Sequence, residues 1–278
     1  MKRRVMLAIA CGLGFGQLGF GLLGLGGLLA GSAQAQISPH RAAYSLSLGA
    51  ARAGSGVIGV TGAMLLDWQQ SCEGWTLHQR MRFQLADGEG GSVDSDLNFS
   101  SWEALDGLSY RFTMRSLRNG EVEEELRGRA DLDAKDRSGK ATFQLPAGQV
   151  MELPPGTLFP TEHTLLLLDR ARNGETLLSR PVFDGSTLDG SLDINAIIGS
   201  QQPGQPSDNP QVDAAAARPG WRVRMAFFKP GSEAPVPEYE VGMMLLENGI
   251  ARDFLFEYGD FSIRAKLERL EALPKPEC

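Results

Sequence analysis

The chain has 278 residues, with 34 acidic residues against 27 lysines and arginines, so its formal charge near neutral pH is −7. This negative balance, without a basic stripe along the sequence, excludes nucleic acid and an anionic membrane surface from the expected partners. Hydrophobic residues make up 42% of the chain, which is enough to bury a large core.

The first 35 residues have the composition of an export signal. Three basic residues at positions 2–4 precede a stretch that stays uncharged to Ala30. The small-x-small pattern at Ala33–Ala35 predicts cleavage after Ala35. The apolar stretch is long for a signal, so a retained membrane anchor is the alternative. We therefore expect a signal peptide over residues 1–35 and a periplasmic protein whose mature part, residues 36–278, does not span the membrane.

Alternation of apolar and polar residues is the main pattern of the mature chain. In one run, Trp75, Leu77 and Met81 would lie on one face of a strand, with Arg80 and Arg82 on the other. This period of two is typical of half-buried antiparallel strands, so the sequence predicts a mainly β fold. Similar runs begin at Tyr44, Leu108, Leu126, Trp221, Tyr239 and Phe254.

Turn residues separate these runs and indicate how the sheet bends. Asn119-Gly120 predicts a type I′ hairpin, and Asn248-Gly249 predicts a second tight hairpin. Glycines crowded in an early strand would allow sharp bending. A strongly bent sheet enclosing a helix would be an incomplete barrel, whose apolar lining could receive an acyl chain or a protein strand unless the helix fills it completely. The early glycines are Gly54, Gly56, Gly59 and Gly62.

One internal stretch, Glu162–Arg172, is predicted to be a helix. Thr161 would cap its first amide groups, and Asn173-Gly174 would end it. The four leucines of Leu165–Leu168 give this helix apolar surface nearly all round. We therefore expect it to be buried against the sheet or inside it.

Two segments later in the chain differ from the regular alternation of the strands. Ser200–Gly220 contains four prolines and an alanine run, which predicts a solvated loop. We interpret it as an excursion from one continuous sheet, so that residues 36–278 form a single domain. The run Phe261–Leu270 fits either a strand or a helix, and we predict a strand.

The histidines do not form a known catalytic or metal-binding pattern. His40, His78 and His163 are far apart, and no serine lies in a Gly-x-Ser-x-Gly turn. His78 falls on the polar face of its strand, where it would be solvated. His163 falls in the first helical turn, where a neutral imidazole can form a hydrogen bond. A hydrolase would need His163 with Asp184, or a serine, brought together by the fold.

The acidic residues do not predict a metal site either. Asp184, Asp189 and Asp193 could supply oxygen ligands, but their spacing is not that of an EF-hand loop, and Asp-Gly pairs are common in turns. Glu123–Glu125 would lie on an exposed hairpin. No glycine-rich phosphate loop precedes the helix. We therefore expect no metal, no cofactor and no catalytic residue.

Two cysteines, Cys72 and Cys278, lie outside the export segment. A lone thiol on the last residue has no packing role, and exported proteins form disulfides, so a bond between the two is the favoured interpretation. Two unrelated thiols are the alternative. Closing a loop of about 200 residues would contribute roughly 5 kcal/mol in the chain-entropy model.

Several motifs, spread from His40 to the last residue, resemble those of one family. They are Cys72-Glu73-Gly74-Trp75, Trp102-Glu103, Asp106-Gly107, Tyr110-Arg111-Phe112, Leu153-Pro154, Gly156–Thr164, Phe183–Ser186 and the terminal Cys278. On these motifs the chain resembles the EipB-type cell-envelope integrity proteins of alphaproteobacteria.

The resemblance implies a periplasmic protein built as a long antiparallel sheet, coiled into a β-spiral or broken barrel around one central α-helix. It also implies a disulfide between Cys72 and Cys278 and supplies no catalytic activity. Our leading hypothesis is a non-enzymatic protein that maintains the cell envelope by binding a lipid, a lipoprotein or a periplasmic protein. The alternatives are a hydrolase acting on an envelope component and a structural protein that braces others through its sheet edges.

Overall fold

The computed structural model describes residues 36–231 and 236–278. The signal peptide and cleavage site expected over residues 1–35 lie outside these residues. The described residues form 14 strands, one α-helix, α1, at Pro160–Arg172, and one short 3-10 turn at Ala214–Ala217. The strands are β1 His40–Ala51, β2 Val57–Gln70, β3 Gly74–Asp87, β4 Ser92–Ala104, β5 Ser109–Arg118, β6 Glu121–Leu132, β7 Gly139–Leu145, β8 Val150–Leu153, β9 Leu177–Val182, β10 Leu192–Gln202, β11 Gly220–Phe228, β12 Tyr239–Leu246, β13 Ala251–Glu257 and β14 Phe261–Ala272.

All 14 strands belong to one antiparallel sheet. The strand order is β8-β7-β6-β5-β4-β3-β2-β1-β14-β13-β12-β11-β10-β9, so nearly every strand pairs with its neighbour along the chain. The exception is the pairing of β1 with β14, which joins the first half of the sheet to the second. Among the described strands, β8 and β9 form the two edges and do not pair with each other. The predicted mainly β fold with a long antiparallel sheet is confirmed, and the sheet is open.

Packing across the sheet shows that it is strongly coiled. Trp68 of β2 and Trp75 of β3 belong to the same buried cluster as Ile194 of β10 and Val223 of β11. These strands are far apart in the sheet order, so their side chains meet only because the sheet curls. Leu168 of α1 lies in the same cluster and is fully buried.

A second set of contacts brings the β9 edge back toward β5–β7. The ring of Phe183, directly after β9, lies 5.5 Å from that of Phe112 on β5 and 6.5 Å from that of Phe143 on β7. The Tyr110 hydroxyl donates a hydrogen bond to the backbone carbonyl of Asp184, at 3.0 Å. Aromatic packing and a partly buried hydrogen bond thus connect the two arms of the coil where strand pairing does not.

The early glycines bend the chain in two different ways. Gly54 and Gly56 lie in the turn before β2, with φ angles of 88° and 75°, so their predicted place within a strand is wrong. Gly59 lies at a register shift of β2. Gly62 lies within β2, where a Cβ atom would stand 2.2 Å from the carbonyl oxygen of Arg82. Only glycine permits this close approach of two backbones.

The predicted hairpins and the last strand agree with the structure. Asn119 and Gly120 have φ angles of 53° and 82°, as a type I′ turn between β5 and β6 requires. Gly249 has a φ of 80° in the tight connection between β12 and β13. The run from Phe261 forms β14, so the choice of a strand over a helix is confirmed.

The proline-rich segment is shorter and better anchored than predicted. Strand β10 continues to Gln202, and the 3-10 turn at Ala214–Ala217 interrupts the loop. Val212 forms a parallel bridge with Leu270 of β14. Ala216 is only 3% exposed and packs into a core cluster. Ala215 and Ala216 of the alanine run therefore pack against the sheet, whereas Ala214 is exposed.

A disulfide joins Cys72, in the turn between β2 and β3, to Cys278, beyond the end of β14. Their Cα atoms are 5.7 Å apart, and the sequence separation is 206 residues. Because β1 lies between β2 and β14 in the sheet, the bond bridges two strands that flank the central pairing.

We expect Cys278→Ser to lower the melting temperature and to speed proteolysis of the segment after β14. Without the bond the unfolded chain has more conformational freedom, which in the entropy model lowers the free energy of unfolding by up to about 5 kcal/mol. Calorimetry of the variant, with Cys72→Ser and the double variant as controls, measures the effect. All three should behave alike, and wild-type protein should match them after reduction. A melting temperature that does not change would contradict the prediction.

Candidate functional site

Helix α1 begins differently from the sequence prediction. Phe159 is its N-cap residue and makes no side-chain cap, so the predicted cap at Thr161 is wrong. The carboxylate of Glu103 on β4 takes this role, accepting hydrogen bonds from the backbone amides of Thr161 and Glu162, each at 2.8 Å. A helix start has amide groups without partners inside the helix, and its dipole favours a negative charge there. A residue distant in sequence therefore fixes the helix on the sheet. The end of the helix at Asn173 is as predicted.

The surroundings of Glu103 determine its charge state. Its side chain is only 3% exposed. Burial raises the pKa of this carboxyl group to about 7, although the two amide hydrogen bonds act in the opposite direction. At the same helical turn, Arg137 forms an ion pair with Glu162 and donates to the carbonyl oxygen of Gly107 at 2.8 Å. The helix start is thus held by two sets of polar contacts, and Glu162 takes part in both.

His163 does not form the arrangement that a hydrolase would need. It is 4% exposed, and its Nε2 atom has no hydrogen-bond partner among the described residues. Burial, together with the positive charge of Arg180, lowers the pKa of His163 to about 4. The Asp184 carboxylate instead accepts a hydrogen bond from the amide of Ser186 at 2.8 Å. No hydrogen bond joins His163 and Asp184 within the described part of the chain.

The other two histidines lie apart from α1. His40 is buried at the start of β1, with its Nδ1 atom 2.8 Å from the carbonyl oxygen of Ser38, and burial lowers its pKa. His78 is exposed, as predicted, and lies 2.9 Å from the Ser100 hydroxyl. Within residues 36–231 and 236–278, no three His, Cys, Asp or Glu side chains are grouped so that they could hold a metal ion. No helix of these residues is both long and apolar enough to cross a membrane.

The inner face of the coiled sheet is apolar but not completely covered. Leu167 and Leu168 of α1 are buried, whereas Leu165 and Leu166 remain partly exposed. Further half-buried side chains from β2, β3, β12 and β13 pack against the same cluster. Together they form what we call the half-exposed apolar surface: Leu66, Leu77, Leu165, Leu166, Tyr239, Met243, Phe254 and Phe256.

Aromatic contacts make part of this surface continuous across neighbouring strands. The rings of Phe254 and Phe256 on β13 are stacked with centroids 5.5 Å apart. Met243 on β12 lies directly opposite Phe254. Tyr239 stacks on Phe227 of β11 at 4.3 Å. The exposed part of the surface therefore consists of flat rings and flexible thioether or leucine groups, which can pack against a flexible hydrocarbon chain.

We expect Glu103→Gln to change the pH dependence of stability. The folded protein keeps the Glu103 proton up to a pH of about 7, whereas an unfolded glutamate loses it near 4.3. The wild type therefore loses unfolding free energy relative to Glu103→Gln as the pH rises from about 4.5 to 7, by about 3 kcal/mol at most. Denaturant unfolding of both proteins across this range measures the difference.

The variant His163→Gln is the matched control, because its effect has the opposite sign. Unfolded His163 binds a proton near pH 6.5, but the folded protein takes it up only near pH 4. The wild type should therefore gain unfolding free energy relative to His163→Gln as the pH rises from about 4 to 6.5. Parallel pH profiles for the two variants would contradict both assignments.

Comparisons with known proteins agree with this fold. A family model described as EipB-like matches residues 31–274. The cell envelope integrity protein EipB of Brucella abortus (strain 2308) is 32% identical over 251 residues, which cover 88% of each chain. A solved beta-barrel-like protein from Brucella abortus, with a domain of unknown function, superposes with a TM-score of 0.79 at 29% identity, covering 86% of this chain and all of that one. The chain therefore belongs to the EipB-like family, as its sequence motifs indicated.

Proposed function

We propose that this protein maintains the integrity of the cell envelope from the periplasm, without catalysing a reaction, by binding the acyl chain of a lipid or lipoprotein. The observation that carries the proposal is the half-exposed apolar surface beside α1 in an open sheet. A relative that is 32% identical is named a cell envelope integrity protein, which supports the envelope role. In this proposal α1 is the central helix of the coil, and Leu165 and Leu166 form one wall of the binding surface.

The energetics favour a hydrocarbon chain as the ligand. Each methylene group removed from water contributes about 0.8 kcal/mol, and apolar area on the protein side adds to this. A segment of about ten methylenes would therefore gain roughly 8 kcal/mol before the cost of ordering the chain. The polar head would remain in water at the opening of the coil.

The alternative of a hydrolase has little support from the geometry. A general base needs a pKa near the working pH and contact with its reacting partner. His163 has a pKa of about 4 and lies near the cationic Arg180, and its ring makes no hydrogen bond with Asp184 among the described residues. We therefore assign no catalytic role to His163.

Bracing through the sheet edges also has limited support. Strand β8 has only four residues, which offers a partner strand few hydrogen bonds. On the other edge, Leu158 already occupies part of β9 by donating to the carbonyl oxygen of Pro181 and accepting from the amide of Phe183. A protein partner could still bind the apolar surface, and the experiment below separates that case.

The test uses two neighbouring leucines of β2 that point in opposite directions. Leu66 belongs to the half-exposed apolar surface, whereas Leu65 is 53% exposed on the other face. We expect Leu66→Gln to weaken binding of a fluorescent fatty acid about tenfold, because a bound chain would bury an unpaired amide. Leu65→Gln should bind like the wild type. Fluorescence titration gives both affinities, and melting temperatures check that each variant is folded.

A second variant tests the same surface if Leu66→Gln does not fold. Leu166→Gln places the amide on α1, where the native side chain is already partly exposed. Native mass spectrometry of wild-type protein recovered without detergent should also find an amphiphile. Equal affinities for all three variants, or a protein that neither carries nor binds an amphiphile, would overturn lipid binding. A reproducible crosslinked partner in that case would identify a protein ligand instead.

A further inference from the structure

The outer face of β3–β7 contains a pocket. None of its lining residues belongs to the half-exposed apolar surface. The volume of the pocket is about 520 Å³. Arginines from β5 and β6 form most of its charged lining, with neutral hydroxyl and amide groups between them. We call it the basic pocket, and the residues used below are Arg111, Arg127, Arg129, Trp102, His78 and Thr113.

Strand register explains why these side chains meet. Trp102 of β4 lies opposite Arg111 of β5, which in turn lies opposite Arg129 of β6. One step along the same face, Thr113 lies opposite Arg127. Since side chains alternate between the faces, all five point outward, away from the core. The sequence does not show this cluster, because Arg111 and Arg127 are on different strands.

The arrangement is electrostatically unfavourable when the pocket is empty. Arg111 and Arg129 are directly opposite each other, and like charges in that position destabilise a sheet. The Arg111 guanidinium lies over the Trp102 ring, 5.0 Å from its centroid, and both residues line the pocket. The cation–π contact orients Arg111 but does not neutralise it.

Few carboxylates compensate this charge. Elsewhere on the sheet, arginines form close ion pairs, such as Arg80 with Asp96 at 2.7 Å. In the basic pocket, Arg129 approaches Asp131 only to 4.0 Å, and both side chains are more than half exposed. Within the described residues no ion pair involves Arg111 or Arg127. A protein with an excess of acidic residues thus keeps uncompensated guanidinium groups together at one place.

We propose that the basic pocket binds a phosphate group. Planar guanidinium groups match the oxygens of phosphate with paired hydrogen bonds, and several of them together neutralise its negative charge. The Thr113 hydroxyl and the His78 ring offer additional donors at the pocket wall. The phosphate belongs either to free inorganic phosphate or to the headgroup of a phosphorylated lipid. The volume of the pocket exceeds that of a single ion, which favours the headgroup.

Calorimetric titration of the full protein with two probes tests the site. The probes are inorganic phosphate and a short-chain phosphatidylglycerol kept below its micelle concentration, each at constant ionic strength. We expect Arg127→Gln to weaken binding of the active probe at least tenfold. Arg82→Gln is the matched control, because Arg82 is exposed on the outer face of β3 but does not line the pocket. Its affinity should stay within twofold of the wild type.

The outcomes separate the two sources of phosphate and the two sites. Binding of inorganic phosphate alone, weakened by Arg127→Gln, supports the site with a free ion as its ligand, and binding of the lipid that Arg127→Gln weakens supports a headgroup. Binding of neither probe, or equal losses in Arg127→Gln and Arg82→Gln, overturns the proposal. Leu66→Gln should leave phosphate affinity unchanged, so failure of acyl-chain binding and failure of the basic pocket give different results. Both arginine variants change exposed side chains and should keep the wild-type melting temperature.

Discussion

A single antiparallel sheet has an apolar face that no second sheet covers, and the removal of this face from water organises the whole protein. Two devices achieve it. The sheet coils until strands far apart in its order share one cluster, and α1 adds the buried side chains of Leu167 and Leu168 to it. The edge strands β8 and β9 do not pair with each other. Burial of the apolar face therefore depends on side-chain packing rather than on a closed hydrogen-bond ladder. Packing of this kind leaves part of the face half-exposed, which is where we place the ligand.

The position of α1 depends in turn on a long-range polar contact. A helix that starts against a sheet needs acceptors for its first amides, and Glu103 supplies both from β4. The cost is a carboxylate taken out of water, and the raised pKa of Glu103 expresses that cost. His163, one turn into the same helix, stays neutral because burial and Arg180 disfavour its charge. Between about pH 4.5 and 6.5 the two groups change the free energy of unfolding in opposite directions. Their contributions therefore offset each other as the pH falls through this range.

Local rules were sufficient for most strands and turns. Alternation in β3 and the positive φ angles at Asn119-Gly120 follow from steric preferences within a few residues, and the structure has both. The helix cap could not be found in this way, since Glu103 is far from Thr161 along the chain. The basic pocket was missed for a similar reason: a search for basic runs detects neighbours in sequence, whereas Arg111 and Arg129 become neighbours only through strand register. Knowledge of the pairing between β5 and β6 would have revealed it.

The period of two that buries one face also keeps the two proposed sites independent. On β5, Phe112 packs into the core while Arg111 and Thr113 on either side of it point into the basic pocket. On β6, Gly128 lies between Arg127 and Arg129. A Cβ atom at Gly128 would stand 2.6 Å from the Phe112 ring. The same two strands therefore hold tight aromatic packing on one side and a cluster of uncompensated charge on the other. On β3, Leu77 of the half-exposed apolar surface lies between Thr76 and His78, which line the basic pocket. Alternation along one strand thus places the proposed acyl-chain surface on one face of the sheet and the proposed phosphate site on the other.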